Sequence, residues 1–150
     1  VSSVFDYTSS RFIKKLKSDN KFDAIEELAA TFGESGVCLD MDQLIHALKE
    51  RENIMSTGIG AGIAIPHAKI NSVKEMAFAI GVSESGIDFD PMDGLPVHLI
   101  ILVVAGEKQH KEYLRLLSQV MAILKHDNVK ENIIATDSPE EIIEILKRAN

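Results

Sequence analysis

Apolar residues in this chain recur first at helical spacing, then in short unbroken runs, then at helical spacing again. Phe12, Ile13 and Leu16 share one helical face and predict a helix over 9–18. Asp23, Asp40 and Ser138 each stand before an apolar-periodic stretch, with Glu26, Gln43 and Glu141 three positions further on. Such a pair forms a capping box, in which side chains satisfy the unpaired N–H groups of a first turn. These boxes predict helices over 23–32, 40–52 and 138–148. Pro139 falls at a first helical position, where its missing N–H costs nothing. Gly33 and Gly36 close the second helix. Leu114, Leu117, Val120, Met121 and Leu124 line a helix over 110–125, and a short helix over 129–135 follows.

The middle of the chain has a different period. Ile63–Ile65, Met76–Val82 and Val97–Val104 are apolar runs bounded by Gly, Asn, Ser and Pro, and they predict strands. Helices before and after a central set of strands predict one α/β domain over 1–150, with a single sheet covered on both faces. The pattern leaves strand order and direction open.

Composition removes whole classes of function. A chain of 150 residues with 45% hydrophobic and 26% charged residues is globular. A net charge of −7 without a basic stripe speaks against nucleic acid as a partner. VHLIILVVA, the longest apolar run, falls well short of the roughly 20 residues that span a bilayer. No membrane insertion is expected, and no secretory signal is legible at the start. The single cysteine, Cys38, excludes an internal disulfide and makes the cytoplasm the expected compartment. No cofactor is expected. Neither a His-x-x-x-His pair nor a cysteine cluster is present, so no metal site is expected.

The candidate chemistry sits in GIGAGIAIPHAKI, residues 58–70. Gly58, Gly60 and Gly62 permit positive φ and leave N–H groups unshielded, an arrangement suited to an anion. Pro66 disfavours a helical conformation at Ile65, so His67 should leave a strand end in a fixed direction. A histidine held beside free N–H donors suits phosphoryl carriage. No Gly-Lys-Ser or Gly-Lys-Thr follows the glycines, which excludes a P-loop. The same segment, Gly60 to Ala64, is expected to offer a flat apolar docking platform. Arg51 lies near a helix end, where it would also offset the C-terminal dipole.

RENIMSTGIGAGIAIPHAKI (51–70) closely resembles the active-site segment of the fructose/mannitol-type enzyme IIA domains of the bacterial phosphotransferase system, a family that includes the nitrogen-regulatory IIA proteins. The resemblance extends through DPMDGLPVHLIILVVAG (90–106), YLRLLSQVMAIL (113–124) and SPEEIIEIL (138–146). It implies a mixed sheet between helices. It also implies phosphoryl transfer from the histidine-containing phosphocarrier protein to a histidine, and onward to a IIB component or into a regulatory signal. On this resemblance His67 is the phosphoryl acceptor, Arg51 the arginine beside it, and Thr57 the hydroxyl of the glycine segment. Many members carry a second active-site histidine in a His-Leu-x-x-Leu pattern. Here Tyr113 occupies that register, and His110 lies three residues earlier. Either could serve the same site. His46, His98 and His126 read as structural or solvated.

Overall fold

The computed structural model describes residues 3–150; Val1 and Ser2 of the expected domain fall outside the described residues. Six strands form one mixed sheet: β1 (Ile13–Lys15), β2 (Gly58–Gly60), β3 (Ile63–Ala64), β4 (His67–Lys69), β5 (Ala77–Ile87) and β6 (Val97–Ala105). Five α-helices cover it: α1 (Lys21–Ala29), α2 (Met41–Ile54), α3 (His110–Leu124), α4 (Val129–Ala135) and α5 (Pro139–Ala149). Strands run in the order β1-β5-β6-β3-β2, with β4 also paired to β6. The α/β class with a mixed sheet between helices, expected from the sequence, is what the chain adopts.

The long strand β6 explains its own composition. Leu99, Ile101 and Val103 enter the core that also holds Leu116, Val120 and Ile142 from α3 and α5. Ile100, Leu102 and Val104 enter the core that holds Ile25, Leu28, Leu44 and Leu48 from α1 and α2. A strand covered on both faces reads as a continuous apolar run rather than an alternating one.

One edge of β6 positions the candidate chemistry. β3 pairs there in parallel at Leu99 and Ile100, and β4 pairs in parallel at Val103 to Ala105. Ile65 and Pro66 join the two short strands, and the Pro66 carbonyl accepts the Val103 N–H at 3.0 Å. Proline supplies no N–H to a ladder, so the edge breaks at this point and resumes at His67. On the resumed strand Ala68 is buried while His67 and Lys69 are half-buried, the alternation of a pleated strand.

The helix expected over 9–18 is not formed. Ser10–Phe12 make a 3-10 turn capped by Ser9, and Ile13–Lys15 pair in parallel with Ile80–Val82. Phe12 faces the α1–α2 core and Ile13 the opposite core, which is the two-residue period of a strand and not a helical stripe. Sheet pairing overrode a spacing that both structures tolerate. The second helix starts earlier than expected, at Lys21, because Asn20 is the cap: its side chain accepts the Asp23 N–H at 3.0 Å. Asp40 and Ser138 do cap their helices, accepting from the Gln43 and Glu141 N–H groups. β1, β2 and β4 are short and were not legible as apolar runs.

Candidate active site

His67 opens β4 with its ring held by a local bond. Nδ1 lies 2.8 Å from the Ile65 carbonyl oxygen, so it carries the proton and donates it there. The lone pair is thereby placed on Nε2. Burial holds the His67 pKa below the ordinary value; the Ile65 carbonyl opposes that, and the positive charges of Arg51 and Lys69 reinforce it. The ring is therefore neutral near pH 7 and able to act as a nucleophile.

Two depressions meet at His67 and Arg51. One, of about 250 Å³, is completed by Ser56, Thr57, Ile59, Ile65, Leu117 and Met121. The other, of about 420 Å³, is completed by Ala47, Ala68, Lys69, Ile70 and Tyr113. Arg51 occupies the last turn of α2, and its Nη1 donates to the Met55 carbonyl at 2.7 Å. That bond offsets the helix C-terminus and anchors one arm of the guanidinium, with four further N–H donors remaining on the group. The bond at the helix end and a place in the lining of both depressions coexist in this one side chain.

Tyr113 packs its ring 5.9 Å from the His67 ring, centre to centre. Burial pushes its pKa up to about 12, so the phenol keeps its proton and remains a donor. His110 stands one step back. It is exposed at the start of α3, stacks on Tyr113 at 6.4 Å, and accepts at Nδ1 from the Lys69 ammonium. Lys69 itself lies 5.3 Å from the Tyr113 ring centre. The structure thus brings Tyr113 beside His67 and leaves His110 out of the side chains that line both depressions.

The glycine segment is built as a hairpin. Gly58–Gly60 pair antiparallel with Ile63–Ala64, making a hairpin whose turn holds Gly60 and Gly62 at φ +89° and +79°. The N–H of Gly58 is taken by Ser56 Oγ at 3.0 Å, and that of Ala61 by Asp93 Oδ2 at 2.9 Å. Gly58, Gly60 and Gly62 line neither depression at His67. They shape the hairpin, and the side chains of Ser56 and Asp93 already occupy two N–H donors of the segment. The expected apolar platform also changes place. Ile63 and Ala64 are buried, whereas Ile54, Met55, Ile59 and Leu114 are the exposed large apolar residues near the site.

Thr57 lines the depression that holds Arg51 and His67, and it is tied to Glu52. Its N–H donates to Glu52 Oε2 at 2.9 Å and its hydroxyl to Glu52 Oε1 at 2.5 Å. Both of its polar protons are thus committed to Glu52. Glu52 was not singled out from the sequence. Its signal was the spacing Leu44, Leu48, Glu52, which sets a carboxylate on the apolar stripe of α2. Lys69 was also missed; the alternation His67, Lys69 on a strand was its signal. His98 bonds Nδ1 to the Ser83 carbonyl, His46 pairs with Glu50 on the surface of α2, and His126 is exposed. Among the described residues no group of three or more His, Cys, Asp or Glu side chains could hold a metal ion, and no helix is long and apolar enough to cross a membrane.

A half-buried neutral histidine, a partly anchored arginine and exposed apolar residues come together on this α/β domain. The family described as "Phosphoenolpyruvate-dependent sugar phosphotransferase system, EIIA 2" matches residues 7–149. The chain belongs to this family and is a phosphoryl-carrier domain of that phosphotransferase cascade.

Among curated proteins, the fructose-specific EIIABC component of Bacillus subtilis is 34% identical over 133 residues, covering 89% of this chain and 21% of that protein. The fructose-specific EIIA component of Haloferax volcanii is 35% identical over 123 residues, covering 82% of this chain and 80% of that one. Among solved structures, the nitrogen regulatory protein IIA-Ntr of Neisseria meningitidis superposes with a TM-score of 0.87 at 27% identity, over 95% of this chain and 98% of that one.

Proposed function

We propose that this domain accepts phosphate on Nε2 of His67 from the histidine-containing phosphocarrier protein and passes it to a IIB component. The observation that carries the reading is the 2.8 Å bond from Nδ1 to Ile65, which leaves Nε2 as the basic nitrogen beside the two depressions. The Nε2 lone pair attacks phosphorus, the donor's P–N bond breaks, and its electrons return to the donor imidazole. Onward transfer reverses the step toward the acceptor. The proton stays on Nδ1 throughout, donated to the Ile65 carbonyl.

Transfer of this kind depends on alignment and charge stabilisation more than on new covalent chemistry. Arg51 supplies the fork for the phosphoryl oxygens, and the neutral Tyr113 hydroxyl is a second donor on the same side. His110 acts through Lys69. Ile54, Met55, Ile59 and Leu114 form the apolar surface on which a partner docks, since exposed apolar groups around a site mark contact surfaces.

A second reading, in which the phosphorylation state governs binding to a regulatory target, draws support from the likeness to a nitrogen regulatory protein. Incubation with the phosphocarrier proteins and phosphoenolpyruvate, followed by mapping, should place acid-labile phosphate on His67. Stoichiometric label on another histidine overturns the assignment. Transfer from the phosphorylated domain to a IIB component supports the transport reading; phosphorylation-dependent binding without transfer supports the regulatory one.

A further inference from the structure

We propose that Glu52 is a positioning residue for the phosphoryl step, setting the tautomer of His67 from a distance through Thr57 and Ile65. The inference rests on the reading of His67 Nε2 as the nucleophile. Glu52 sits in the last turn of α2, one residue after Arg51, and is 1% exposed. A buried carboxylate is costly unless its oxygens are fully used. Here Oε1 accepts the Thr57 hydroxyl, and Oε2 accepts the Thr57 N–H and faces Lys21 Nζ of α1 at 3.5 Å.

From Thr57 the line continues without a gap. The Thr57 carbonyl accepts the Ile65 N–H at 2.9 Å, and the Ile65 carbonyl accepts His67 Nδ1–H at 2.8 Å. Ile65 is therefore held at both ends of its backbone, and its oxygen is aimed by the clamp on Thr57. The orientation of that one oxygen decides which imidazole nitrogen carries the proton. The carboxylate also adjoins Arg51 in sequence, so one buried group ties the fork and the acceptor to the same anchor. Local structure alone would give His67 a carbonyl two residues back; the Glu52 clamp is what keeps it from turning away.

The test uses the whole domain labelled with ¹⁵N-histidine. Two-bond ¹H–¹⁵N spectra report the tautomer, and rates of phosphate transfer from the phosphocarrier protein are measured alongside. Glu52→Gln removes one acceptor oxygen and the charge facing Lys21 with little change in volume. It should raise the Nε2–H population of His67 and slow transfer by about 10- to 100-fold, the scale of a misplaced reacting group. Thr57→Val should act in the same direction, and Thr57→Ser, which retains the hydroxyl, should restore the wild-type tautomer and rate.

If Glu52→Gln does not fold, the Thr57 pair alone decides. Folded variants with the wild-type tautomer overturn the proposal, whether their rates fall or not, because a merely structural carboxylate would leave the tautomer unmoved. A shifted tautomer in variants of a wild-type domain that takes no phosphate at His67 supports the linkage and overturns the assigned function instead.

Discussion

His67 and His98 each stand at or near the start of a strand, and each bonds Nδ1 to a main-chain oxygen at 2.8 Å, His67 to Ile65 and His98 to Ser83. Their surroundings beyond that bond differ. A Cβ added to Gly86 would lie 3.1 Å from Cε1 and 3.2 Å from Nε2 of His98, so the far edge of that ring is closed by backbone. The far edge of His67 opens on depressions lined by a guanidinium and a phenol. Fixing a tautomer is common to a structural and a reactive histidine. What separates them is whether the lone pair opposite the bond meets packed chain or a place where another molecule can arrive.

Replacing each ring by alanine should separate the two regions most sharply. His67→Ala should abolish acid-labile phosphorylation with little loss of stability, since the ring borders open depressions and water can replace it as donor to Ile65. His98→Ala should leave labelling intact and cost about 1–3 kcal/mol, because it strips Ser83 of its donor and opens space beside Gly86. Phosphosite mapping and chemical denaturation distinguish the outcomes; labelling of His67→Ala at full stoichiometry would erase the contrast.

Next in size is the arginine that only the His67 region has. Arg51→Lys keeps a positive charge and a donor for the Met55 carbonyl but loses the fork. Loss of one charge-assisted bond worth roughly 1.5–3 kcal/mol predicts transfer about 10- to 150-fold slower. The melting temperature should stay near that of the wild type. Unchanged kinetics would reduce Arg51 to its dipole role.

Acid should affect activity and fold through different groups. Burial and the nearby cations hold the His67 pKa below its ordinary 6.5. Transfer should therefore persist as pH falls through 6.5 and decline only below it, and an NMR titration should place the midpoint there. The sign for stability is the same: between the lowered and ordinary values the unfolded chain binds more protons, so His67 costs stability as pH drops.

Glu27 governs the fold at lower pH. Burial alone would raise its pKa, yet Ser18, Lys14 and the N–H groups of Lys17 and Ser18 outweigh that and pull it down to about 2 from 4.5. Its contribution is complete above 4.5 and disappears as pH falls toward 2. With screening at a partly solvated site, about 1–2 kcal/mol is at stake. Glu27→Gln should flatten the acid limb of the stability curve while sparing transfer at neutral pH.

The smallest expected effect tests the hairpin between the two histidines, where the Gly62 carbonyl accepts from the His98 N–H. Ala61 has φ +57°, a conformation that strains any residue with a Cβ. Ala61→Gly should stabilise the domain by about 1 kcal/mol, read as a raised denaturation midpoint. For the same reason, larger substitutions at Ala61 would confound any test of docking. Ile59→Glu and Leu114→Glu are cleaner probes, since both side chains are exposed.

Much of this was written locally in the chain. The caps at Asp40 and Ser138, the twofold-buried run of β6, and the His67 segment all depend on residues a few positions apart, and their physics survives without knowledge of the fold. Even the bond from His67 to Ile65 spans only two residues. Tertiary structure alone decided that Ile13–Lys15 would pair with β5 rather than coil, because a parallel partner 67 residues away in sequence is invisible to spacing. It alone decided that the glycines would build a hairpin capped by Asp93, 32 positions from Ala61. It also decided that a carboxylate on the apolar stripe of α2 would find its donors on Thr57 and Lys21. Periodicity and capping are short-range energies; the partners of buried polar groups are settled only when distant segments pack and water is gone.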